Sequence, residues 1–167
     1  MYKTVTEEEH RFLMYVFKAF NVFNGIINPD DRVNYVVDAD YIDIDQCSLY
    51  DHINNAIVVN PRKTLEVFRS TFGEDTTTQC IPMLAIFVVI HELVHRVQHL
   101  DMTLYSNNDE YKQNAEAYAI WYSYKFPLQY GEWIEWRYGE SPLYYPDGAY
   151  KIMKGIEERW NFNFVED

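Results

Sequence analysis

Ile81 to Leu100, IPMLAIFVVIHELVHRVQHL, is the stretch around which the chain is organised, because it joins a long apolar run to several metal-capable side chains. Apolar residues before His91 cover nearly every face of a helical projection, which predicts a buried central helix. Pro82 suits a first helical position, Gln79 or Thr78 can cap it, and neither Gly nor Pro interrupts Met83 to Leu104. His91 and His95 are one helical turn apart and point the same way, a spacing that lets both imidazoles bind one metal ion. Glu92 lies about 100° around the helix from His91 and about 60° from His95. It is poorly placed as a ligand and well placed to hold a water beside the ion. Without a metal, two histidines and a glutamate on a buried helix would need a dense polar network, with the imidazoles bonded to backbone and Glu92 paired to a base.

A catalytic zinc ion needs a third protein ligand and an open position. His99, eight residues from His91, would lie about 12 Å away along a continuous helix, too far to share the ion. The metzincin solution, a Gly after the second His and a third His beyond it, is also missing, since Gln98 and His99 occupy that region. Glu116 is the better candidate. It sits in a second predicted helix that starts at Asn107 or Asn108 and runs to Phe126 before Pro127. Ala115, Ala117 and Ala119 surround it, and such small neighbours allow close approach to the first helix. A carboxylate in that apolar, aromatic setting needs a partner, which a metal supplies; the alternative is an exposed Glu116 paired with Lys112. Asp109 and Glu110 belong to the first turn, where the helix dipole accounts for them.

His91-Glu92-x-x-His95, the HExxH pattern, followed 21 residues later by Glu116, resembles the gluzincin group of zinc metallopeptidases. Gln98 and Asn114-Ala115-Glu116-Ala117 are similar to small bacterial and phage members. The likeness spans roughly Ala56 to Lys125. It implies zinc on His91, His95 and Glu116, with Glu92 as general base in the hydrolysis of a peptide or protein substrate. Many gluzincins carry an Asp four residues after the Glu ligand to orient a zinc histidine. Ile120 stands there in this chain, so that support must come from elsewhere. Two other functions fit the same residues: a non-catalytic zincin-fold binding protein with structural zinc, and a zinc hydrolase of a non-peptide amide.

The chain's 167 residues suit one domain, and 48% hydrophobic with 17% aromatic content is globular. A net charge of −12 without a Lys/Arg cluster argues against nucleic acid as a partner. Cys47 and Cys80 are too few for a disulfide framework, and two free thiols are expected. The acidic N-terminus has no early apolar region, and the apolar run before His91 is about ten residues long, too short for a bilayer. No membrane partner and a cytoplasmic setting are expected.

Thr6 to Glu9 fits a capping box for a first amphipathic helix carrying Phe12, Val16, Ala19, Phe20 and Phe23, ending near Gly25. Val33 to Asp38, Tyr41 to Asp45 and Ala56 to Asn60 are predicted strands. Asp38, Asp40, Asp43 and Asp45 lack the Gly and terminal Glu of a calcium loop and are assigned to the wet face of the sheet. Ala56 to Asn60 is the first candidate for an edge that aligns a substrate backbone. His52 falls in a turn. Asn60-Pro61 starts a helix that ends at Gly73, and Asp147 to Trp160 forms the last one. Between Pro127 and that helix, Tyr130, Trp133, Trp136, Tyr138, Tyr144 and Tyr145 form an aromatic cap, from which a Tyr hydroxyl could stabilise an oxyanion. The predicted fold is thus α+β and zincin-like. A small, mostly antiparallel sheet packs on the buried HExxH helix and the second, Glu-bearing helix, under an aromatic helical cap.

Overall fold

The computed structural model describes residues 6–27, 32–38, 46–100, 115–117, 119–123 and 146–159. In chain order these form helix α1 (Glu7–Ile27), strands β1 (Tyr35–Asp38), β2 (Ser48–Asp51) and β3 (Ala56–Val59), then helices α2 (Pro61–Phe72), α3 (Glu74–Gln79) and α4 (Ile81–Leu100). A helical segment at 115–117 and 119–123, here α5, and the helix α6 (Pro146–Arg159) follow. The architecture is α+β, mostly helical with one three-stranded sheet.

Local chemistry explains several helix ends. Thr6 Oγ1 accepts from the Glu9 amide at 3.1 Å while Glu9 Oε2 accepts from the Thr6 amide at 3.1 Å, the reciprocal capping box. Asn60 Oδ1 accepts from the Lys63 amide, and Pro61, which has no amide hydrogen to strand, opens α2. Gly73 ends α2 at φ 91°, a left-handed conformation that a side chain would resist. The Thr76 to Thr78 run lies within the short helix α3, with Thr76 and Thr77 buried. Thr78 and Gln79 therefore end one helix and do not cap the next. Cys80 is the junction, and α4 begins one residue before Pro82.

The sheet departs from expectation in two ways. Its order is β1-β3-β2, with β1 parallel and β2 antiparallel to β3, so it is mixed and not mostly antiparallel. And β3, expected as an edge, is the central strand. All four of its residues are buried, none more than 1% exposed. The uninterrupted apolar run Ala56-Ile57-Val58-Val59 is the physical reason, because a strand covered on both faces does not alternate. Its neighbour β2, Ser48-Leu49-Tyr50-Asp51, has no β-branched residue and is the edge next to α4. The predicted strand over 41–45, the carboxylates Asp40, Asp43 and Asp45, the capping Asn107 and Asn108, and the aromatic stretch 128–145 lie outside the described residues.

Helix α4 is the hub. The core joins Phe12, Val16 and Phe23 of α1 to Ile57 and Val59 of β3, to Leu84, Ile90 and Leu93 of α4, and to Ala119 and Ile120 of α5. Ile81–His99 is long and apolar enough to cross a membrane by composition, and 72% of that window is buried inside this fold, as in a core helix.

Candidate metal centre

His91 and His95 project from the same face of α4, and α5 brings Glu116 against them. Glu116 Oε1 lies 3.1 Å from His91 Nε2, and Oε2 lies 3.0 Å from His95 Nε2. The two Nε2 atoms are 3.0 Å apart. A tetrahedral ion with bonds near 2.0–2.1 Å separates its donors by about 3.3 Å, so these three atoms need to part only slightly to enclose one. Two imidazole nitrogens and a carboxylate oxygen form a donor set that suits a divalent first-row cation, and the His91, His95, Glu116 group could hold a metal ion. The structure thus brings together the three residues that the sequence singles out. His99 is not among them; its ring instead lies 4.8 Å, centroid to centroid, from that of His52. Asp109 and Glu110 lie outside the described residues.

Glu92 is almost fully buried next to the cluster, with Oε1 3.9 Å from His91 Nε2. Ser48 Oγ donates to that same Oε1 at 2.8 Å, so the edge strand β2 holds the carboxylate in place. Glu92 Oε2 is buried and has no hydrogen-bond partner. An orphaned carboxylate oxygen is costly, and a water or cation beside it would satisfy it. Ser48 was not singled out from the sequence, since a lone serine in a short, weakly patterned strand carries no signal of its own.

The support that Ile120 cannot give comes from Gln98. Its Oε1 accepts from His95 Nδ1 at 2.9 Å and its Nε2 donates to the Ala115 carbonyl at 3.0 Å. In the neutral ring the first bond puts the proton on Nδ1, so that Nε2 is the nitrogen left to face a cation. The second ties α4 to the residue preceding Glu116. One amide therefore orients a histidine and docks the helix that carries the third donor. Gln98→Ala is expected to weaken metal binding about 10- to 100-fold, measured by competition with a chromogenic chelator.

Electrostatics couple the three donors. Burial alone would lower the affinity of His95 for a proton, but its hydrogen bond to Glu116 and the negative charges of Glu92 and Glu116 outweigh burial and lift its pKa to about 9. Burial pushes Glu116 the other way from its neighbours, and the hydrogen bonds from His91 and His95 hold its carboxyl well below the usual range. Without a cation, a proton on His95 therefore bridges the site. Because the folded value exceeds the unfolded one near 6.5, the stability it adds is full below pH 6.5 and fades as pH rises toward 9. A metal ion must displace that proton. At pH 7.5, binding is expected to release about one proton per ion, read as a linear dependence of the calorimetric enthalpy on buffer ionisation enthalpy.

The cluster opens into a cleft of about 730 Å³ walled by Gln46, Cys47 and the first three residues of β2, and by His52 and His99. Glu116 keeps 45% of its side chain exposed here, which leaves room for solvent or substrate. Both cysteines are free thiols. Cys47 lines the cleft, but burial raises its pKa, so it stays protonated and is no ready nucleophile.

Comparison of the chain with protein-family models, curated proteins and solved structures finds no match.

Proposed function

We propose that this protein is a zinc-dependent peptidase with His91, His95 and Glu116 as metal ligands and Glu92 as general base. The observation that carries the proposal is the meeting of two imidazoles and one carboxylate from separate helices, with a buried, partly unsatisfied glutamate beside them. Among the described residues no fourth acidic, histidine or cysteine donor joins the group. That favours an open coordination position over a closed structural site. A bound cation would supply Lewis acidity, polarising a carbonyl and making water acidic near neutral pH.

The chain's own residues account for the rest. Glu92, anchored by Ser48 through one oxygen, has the other free to take a proton from water and pass it to the leaving nitrogen. The β2 edge turns toward the cleft and could take an extended peptide by strand addition, the role first expected of Ala56 to Asn60. The substrate would then be peptide or protein, and the setting cytoplasmic. Incubating zinc-loaded protein with a mixed peptide library and reading new termini by mass spectrometry tests the proposal. Cleavage that chelation removes and zinc restores is expected; the same cleavage in the presence of chelator would rule it out.

A further inference from the structure

A second cavity, about 290 Å³, shares Cys47, Ser48, His91 and Glu116 with the cleft and extends away between α2, α4, α5 and α6. Its walls are Phe68, Phe72, Phe87, Val88, Ile120 and Ile156. Gly155 of α6 lets the Phe72 ring pack close, since a β-carbon there would come within 3.1 Å of it. The lining also contains Arg159, an exposed guanidinium on the last turn of α6. Among the described residues Arg159 makes no ion pair. A cation that pairs with no described carboxylate, beside an apolar hole, stands out in a chain of net charge −12.

Resting on the peptidase assignment, we propose that this cavity is a binding site for the carboxy-terminal residue of a peptide. A large apolar side chain would fill the aromatic walls, and the free α-carboxylate would pair with Arg159. The volume fits one large residue. The cavity starts at His91 and Glu116, beside the centre, and a carboxy-terminal residue held there is the one on the amine side of the cleaved bond. An acidic side chain would have to bury its own charge against Phe68 and Phe87. A terminal carboxylate keeps the charge on the backbone and leaves an apolar side chain for the pocket, and guanidinium matches it in a paired, planar contact. The reaction is hydrolysis of the last peptide bond. Water oxygen adds to the acyl carbon, the C–N bond breaks, and the proton held by Glu92 goes to the departing amine, which leaves as a free apolar amino acid.

Binding tests the site without turnover. N-acetyl-L-phenylalanine is expected to bind the zinc-loaded protein about tenfold or more tightly than its carboxamide, by calorimetry or NMR titration. Arg159→Ala should bring the acid down to the level of the amide, and Arg159→Lys should restore part of the difference. Equal binding of acid and amide would overturn the proposal. So would a preference for the acid that survives in Arg159→Ala, since the carboxylate would then be held by the metal alone. The two assignments fail separately. Protein that binds the acid through Arg159 but cleaves no peptide refutes the peptidase and leaves the pocket; protein that cleaves carboxy-terminally amidated peptides as fast as free acids refutes the pocket and leaves the peptidase.

Discussion

Glu92→Gln should abolish peptide cleavage, lowering kcat by about 10²–10⁴ or more, while zinc affinity stays within a fewfold of the parent. The amide is nearly isosteric and can still accept from Ser48 Oγ through its carbonyl, so the 2.8 Å contact and the burial of the side chain survive. What it cannot do is take a proton. Glu92 sits 3.9 Å from His91 Nε2 and outside the donor triad, which is why its loss should leave the metal in place. Parallel assays of turnover and bound zinc check this. Undiminished hydrolysis would remove Glu92 from the mechanism, and loss of zinc would make it a ligand.

Glu116→Ala should lower zinc affinity by more than about 100-fold, beyond the loss of an outer partner such as Gln98. The carboxylate spans both imidazoles, with contacts of 3.1 and 3.0 Å, and removing it leaves two nitrogens 3.0 Å apart with only Glu92, 3.9 Å from His91 Nε2, as a nearby carboxylate. The substitution should not unfold the protein. Glu116 is half-exposed, and Ala117, Ala119 and Ile120 anchor its helix in the core. Chelator competition read beside far-UV circular dichroism separates the two effects. Intact affinity in a folded variant would show that Glu116 is no ligand.

Much of this was legible before any coordinates. The capping box at Thr6 and Glu9, the Asn60-Pro61 start of α2 and the Gly73 stop each depend on side chains within a few residues of the backbone they satisfy, so sequence carries them directly. The HExxH spacing likewise fixes His91 and His95 on one helix face with Glu92 to one side, because helical geometry leaves little choice. Glu116 was legible through its small neighbours, a signal about packing.

The failures have a common cause, which is dependence on distant partners. Whether Ala56 to Val59 is central or at an edge is decided by strands on either side; its lack of alternation was the clue to double burial. Nothing in Ser48-Leu49-Tyr50-Asp51 announces an edge strand, because register with β3 and contact with α4 decide it. Ser48 acts through a residue 44 positions away, and Gln98, besides its local bond to His95, acts through one 17 positions away. The place of Arg159 at the second cavity is of the same kind, since α6 reaches the cavity only in the folded chain.

X-ray absorption at the zinc edge of the loaded protein tests the centre most directly. Four or five nitrogen and oxygen scatterers at about 2.0–2.1 Å are predicted, with the multiple-scattering pattern of two imidazoles and no sulfur, and Glu116→Ala should lose an oxygen or the ion itself. A sulfur scatterer near 2.3 Å, which would place Cys47 on the metal, or one imidazole in place of two, would contradict it.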